Sequence, residues 1–276
     1  MVKFGIMQGR LLKKYKDRYQ SHPVDYWQQE FPLTKKLNLN FIEFIFDYYE
    51  FQKNPLSHID GLREVNKISK TYNISVSSIC ADIFMQKPIF NRENNDLYEN
   101  KIMNILYEAC KYLNISDIVI PLVDESSISN CLDKDYLVDQ IRNMSDKFEP
   151  INTNICLETD LDPENFINFI DLINKKNIKI NYDIGNSISN GYDPIDEFNT
   201  YSDLITLIHL KDRKFMGPSV LAGKGDVDFN NFFKILKNFK NNNNITFQLY
   251  RNEKGLDIFI KQFKWIKDLT NFKNLF

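Results

Sequence analysis

The chain has 276 residues, 43% of them hydrophobic, which is enough for one large folded unit with a sizeable core. Its 35 basic and 37 acidic residues leave a formal charge of −2, with the two signs mixed along the sequence. No basic stripe offers a grip on nucleic acid, and no apolar run approaches the roughly 18 residues that a membrane span needs.

Short apolar runs alternate with longer amphipathic segments from one end to the other. Strands are predicted over residues 2–7, 41–46, 74–80, 118–122, 154–158, 178–183, 205–210 and 245–250. Helix-period segments lie between them, over 62–72, 97–113, 136–148, 163–174, 229–239 and 258–269. Asp162-Pro163-Glu164 places an N-cap and a first-turn proline at a helix start, and Asp193-Pro194 repeats the device before a short sixth helix. The asparagine run 241–244 reads as a plain surface loop.

Strands that alternate with helices form parallel sheets, because parallel neighbours need a crossover. Eight such units in a chain of this size predict a single-domain (β/α)₈ barrel over residues 1–276. No GxGxxG follows the first strand, which argues against a doubly wound nucleotide-binding sheet. Cys80, Cys110, Cys131 and Cys156 are widely spaced and make no CxxC pair, so they read as buried free thiols in a reducing compartment. The opening apolar stretch is too short for a signal peptide, and a cytoplasmic location is expected.

Barrel chemistry sits at the C-terminal ends of the strands, and four consecutive strand ends carry candidate ligands. Strand five ends at Glu158, strand six at Asp183, strand seven holds His209, and strand eight holds Gln248. Two carboxylates, an imidazole and an amide oxygen suit one divalent ion: Mn²⁺, Mg²⁺ or Co²⁺, with Zn²⁺ less well matched. Each residue also has a plain structural reading. Glu158 reads equally as a solvated loop acid, Asp183 as a helix cap, His209 as a core histidine and Gln248 as a satisfied core amide.

The opening Gly5-Ile6-Met7-Gln8-Gly9-Arg10-Leu11 resembles that of the sugar phosphate isomerase/epimerase family, within the xylose isomerase-like barrels. So do Trp27-Gln28-Gln29-Glu30-Phe31 and Ile42-Glu43-Phe44-Ile45-Phe46-Asp47. The more specific likenesses are Tyr182-Asp183-Ile184-Gly185-Asn186 with Gly191-Tyr192, and His209-Leu210-Lys211-Asp212-Arg213 with Gly223 to Phe229. The resemblance implies Glu158, Asp183, His209 and Gln248 as metal ligands and a small-molecule sugar as substrate. It also implies a homodimer or homotetramer. The family commonly has glutamate where Gln248 stands, and in its epimerases that glutamate is also an acid/base; an amide cannot exchange a proton near neutral pH.

Isomerisation or epimerisation removes a proton from carbon beside a carbonyl, and a bound cation stabilises the enediolate. Glu158 is the expected base. Epimerisation needs a second proton carrier, for which Glu43 is nominated first and Asp82 next. Arg10, Lys211 and Arg251, with Asn186, are the expected substrate-binding groups, suited to a phosphate or another anion. Three competing readings stay open. A three-zinc apurinic endonuclease needs more imidazoles than three histidines provide. An inosose-dehydratase-like lyase begins with the same proton abstraction, and a sugar-binding barrel without turnover accommodates the loss of the eighth-strand carboxylate.

Overall fold

A computed structural model describes residues 2–239 and 243–273, so part of the asparagine run lies outside the described residues. Eight parallel strands close into a barrel: β1 (Phe4–Met7), β2 (Phe41–Ile45), β3 (Ser75–Cys80), β4 (Asp117–Leu122), β5 (Asn154–Thr159), β6 (Ile178–Asp183), β7 (Ile205–Leu210) and β8 (Asn244–Phe247). Closure falls at β1, where Gly5 pairs with Phe41 on one side and Thr246 on the other. A Cβ at Gly5 would stand 2.2 Å from the Phe41 ring, so the seam is tight enough to require glycine.

The principal crossovers are α1 (Glu30–Lys36), α2 (Ile59–Tyr72), α3 (Met103–Leu113), α4 (Lys134–Phe148), α5 (Pro163–Ile173), α6 (Pro194–Tyr201), α7 (Phe229–Asn238) and α8 (Leu256–Asp268). Asp162 and Asp193 cap α5 and α6 as the sequence predicts, accepting from the N–H groups of Asn165 and Ile195. The segment predicted as a helix over 97–113 is helical throughout and carries a π-helical stretch near its start. A π-helical segment, Tyr98–Ile102, precedes α3 and keeps Tyr98, Ile102 and Leu106 on the buried side. Among the described residues no helix is long and apolar enough to cross a membrane.

Strand residues alternate faces, so one set packs outward on the helices and the other fills the barrel. Inside, Met7, Ile45, Cys80, Val119, Cys156 and Leu207 form an apolar cluster. Two residues further along β5 and β7 stand Glu158 and His209, on the same inward side and therefore nearer the mouth. The four cysteines are free and buried.

The segment from Gln8 to Gln29 is long and mostly irregular, yet it is pinned over the mouth by buried polar groups. Glu30 accepts the N–H groups of Gly9 (2.6 Å) and Leu11 (3.0 Å). Asp47 accepts the N–H of His22 at 2.7 Å, while Gln8 Oε1 lies 2.9 Å from His22 Nδ1 and accepts the N–H of Ile45. Burial, reinforced by Arg18, holds the His22 imidazole down at a pKa of about 3. An unfolded histidine takes up its proton near pH 6.5, so between those values only the unfolded chain is protonated and stability falls with falling pH. We expect up to roughly 1.4 kcal/mol lost per pH unit below 6.5, measured by denaturant unfolding. His22→Gln, which cannot titrate, flattens that dependence; an unchanged slope in the variant would contradict the placement of His22.

Candidate metal centre

Glu158, Asp183 and His209 meet at the floor of the barrel mouth. One ligand atom from each lies within 4.8 Å of the others, and all three side chains are buried. His209 Nδ1 stands 3.4 Å from Glu158 Oε2 and 3.9 Å from Asp183 Oδ2. The opposite ring nitrogen, Nε2, is 2.7 Å from Glu43 Oε1, and Glu43 Oε2 accepts the hydroxyl of Ser78 at 2.7 Å. With its Nε2 proton on Glu43, a neutral His209 turns its Nδ1 lone pair into the cluster, where Asn181 Nδ2 stands 3.0 Å away, the arrangement that orients histidine ligands in metal sites.

Amides hold the Glu158 carboxylate from both sides. Asn181 Nδ2 donates to Oε2 and Asn186 Nδ2 to Oε1, each at 2.7 Å. Lys211 Nζ lies 2.7 Å from Asp183 Oδ2. Gln248 is buried, and its Oε1 has no hydrogen-bond partner among the described residues. Two carboxylates, one imidazole nitrogen and an orphaned amide oxygen fit a hard or borderline divalent cation.

Without an ion the electrostatics are those of a buried ion-pair network. Burial pushes His209 down, but the Glu43 and Glu158 carboxylates outweigh it and raise the imidazole to about 10. Burial raises Asp183, with Lys211 opposing; in Glu158 burial is outweighed by His209, Lys211 and Asn181, and the carboxyl stays below its ordinary value. Without a cation the cluster therefore holds a proton on His209, and a metal ion must displace it.

A cavity of about 260 Å³ opens above the cluster, with Arg10, Asp82, Glu158, Asn186, Lys211 and Gln248 among its walls. Arg10 is buried, and its Nε and Nη1 have no partner among the described residues. Burial raises the Asp82 carboxyl to about 6, against hydrogen bonds from Gln20 and Cys80 that lower it.

Two of the expected site residues stand apart from the cavity lining. Glu43 points inward from β2 and is fully buried between His209 and Ser78. Arg251 is also buried away from the cavity, donating to the carbonyls of Leu12 (3.0 Å) and Tyr19 (3.3 Å) and so tying down the segment after β1. Sequence reasoning missed Asn181, Gln20, Ser78 and Arg213, which donates to Asn186 Oδ1 at 2.7 Å. Asn181 was within reach, since it lies two residues before Asp183 on the same face of β6. Gln20 carries no such signal.

Residues 31–269 match the family model described as the xylose isomerase-like TIM barrel. The chain belongs to that family. No curated protein matches this xylose isomerase-like chain in sequence. Similar solved structures include an IOLI protein with a binding zinc atom (18% identity, TM-score 0.74, covering 97% of this chain and 98% of that one). A xylose isomerase domain protein from Planctomyces limnophilus has 16% identity and a TM-score of 0.73, with 98% of each chain covered. The 3-keto-D-glucoside 4-epimerase YcjR from E. coli has 16% identity and a TM-score of 0.72, covering 97% and 99%. Identities this low establish the shared barrel fold.

The ion pair behind the site gives a direct test. In protein stripped of metal, imidazole-resolved NMR at pH 8 is expected to show His209 doubly protonated, because its pKa of about 10 lies above that pH. The pair stabilises the fold fully below pH 6.5, and that contribution is lost as pH rises through about 10. Glu43→Gln shifts the titration towards neutral; a His209 that is neutral at pH 8 in the parent protein would contradict the raised imidazole.

Proposed function

We propose that this barrel is a divalent-metal-dependent isomerase or epimerase acting on a sugar or sugar phosphate, by proton transfer next to a carbonyl. The observation that carries this reading is the convergence of Glu158, Asp183 and His209 at the base of a polar cavity on a xylose isomerase-like barrel. Glu158, Asp183, His209 and Gln248 would hold one divalent ion. When bound, that ion supplies the positive charge that makes an enediolate accessible.

The remaining chemistry belongs to the side chains. Glu158 takes the proton from the carbon beside the carbonyl; Asn181 and Asn186 fix its two oxygens, and burial strengthens both contacts. Glu43 acts behind His209 as a positioning group. The carboxylate at the cavity wall best suited to carry a second proton is Asp82, buried and held near neutrality by its surroundings. Arg10, with two unpartnered N–H groups, and Lys211 suit a phosphate or another oxygen-rich part of the substrate.

An amide at position 248 favours chemistry that uses one carboxylate at a time, so a lyase of the dehydratase kind shares the first step. Product analysis separates the two: isomers conserve mass, and a dehydratase product is lighter by one water.

The test is deuterium uptake from D₂O into ketoses and ketose phosphates, with Mn²⁺ present. Glu158→Gln is expected to keep weakened ion binding and lose about 10²- to 10⁴-fold in exchange. Asp183→Ala is expected to lose ion and exchange together. Undiminished exchange in both variants would sink the assignment, and absence of exchange in a protein that still binds ketoses would leave a binding barrel.

A further inference from the structure

Gln20 comes from the irregular segment after β1, yet its amide touches three elements of the mouth at once. Its Oε1 accepts from Arg10 Nη2 at 2.8 Å and from Gln248 Nε2 at 3.2 Å. Its Nε2 donates to both oxygens of Asp82, at 2.9 and 3.0 Å. The orientation of this amide follows from its neighbours. A guanidinium can only donate, so Arg10 requires an oxygen facing it, and an ionised carboxylate can only accept, so Asp82 requires the NH₂.

With both ends of Gln20 committed, the group facing it from β8 must be a donor. An amide NH₂ satisfies that demand and a carboxylate does not. Turning the Gln248 nitrogen to Gln20 leaves its oxygen on the other side, buried and unpartnered. An orphaned acceptor lining the same cavity as Glu158 is the state expected of an oxygen reserved for a cation or for the water that replaces it.

From this network we infer that Gln20 is a positioning residue: together with Arg10 and Asp82 it fixes the Gln248 amide with its oxygen free for the metal ion, and makes glutamine the residue the site requires there. The inference rests on the metal-site reading above. It also changes the meaning of residue 248. A glutamate there would set carboxylate oxygen against Gln20 Oε1, and Gln20 could turn over only by setting its oxygen against Asp82 and its NH₂ against Arg10. The amide just after β8 is thus matched to two residues of the segment after β1 and to one next to β3.

The test is calorimetric titration of the metal-free full chain with Mn²⁺. Gln20→Leu is expected to weaken binding 10- to 100-fold, the usual effect of removing a group that orients a ligand. Asp183→Ala is the control. Mn²⁺ lost in Asp183→Ala but bound at parental affinity by Gln20→Leu would overturn the role of Gln20 alone. Parental affinity in Asp183→Ala would overturn the metal site itself.

A second readout needs neither metal nor substrate. In thermal unfolding of the metal-free protein, Gln248→Glu is expected to lower Tm by about 2–4 °C. Gln20→Leu removes the oxygen that would oppose the carboxylate, so the loss caused by Gln248→Glu is expected to shrink when the two are combined. Purely additive Tm shifts would overturn the matched network.

Discussion

The arrangement of this site depends on one buried imidazole. His209 has no exposed surface, and it is flanked by Glu43 on one nitrogen and by Glu158 and Asp183 on the other. Burying three carboxylates costs free energy that a single imidazolium and the Lys211 ammonium offset only in part. Such a cluster is weak evidence of stabilisation and good evidence of use, because apolar side chains would fill the same space at lower cost. The closed barrel makes it tolerable: β2, β5, β6 and β7 deliver their side chains to one point, and the register across β6, β7 and β8 sets Asp183, His209 and Thr246 side by side.

Met7, Ile45, Cys80, Val119, Cys156 and Leu207 form an apolar cluster inside the barrel. Glu43, Ser78 and His209 are fully buried together, and their hydrogen bonds set the orientation of the imidazole. The ligand atoms and the cavity share the mouth with the segment that follows β1. Glu30 and Arg251 work far from the chemistry, but their hydrogen bonds to that segment's backbone decide where Arg10 and Gln20 stand.

Much of this was legible in the chain itself. Period-two alternation at the ends of four successive strands brings Glu158, Asp183, His209 and Gln248 to one mouth, and the structure gathers the first three within ligand distance of each other. The same alternation puts Glu43 on the inward face, but it lies mid-strand, two residues before the end of β2, where it orients a histidine and does not line the cavity. Arg251 misled for a related reason: a cation after β8 is near the mouth, but two carbonyls of the neighbouring segment claim it. The helical turn Ile184–Asn190 after β6 reads as a simple turn in sequence, although Asp183 caps it while facing the cluster. Gln20 was out of reach altogether. It sits in an irregular segment with no periodicity, and its partners are fixed by the tertiary path of that segment.

The most direct test of the account is anomalous diffraction from crystals soaked in Mn²⁺. The account predicts one strong peak at the floor of the mouth, coordinated by Glu158, Asp183, Nδ1 of His209 and Oε1 of Gln248. A peak elsewhere, or none in a well-ordered mouth, would contradict it, and the cluster would then stand as a buried ion-pair network centred on His209.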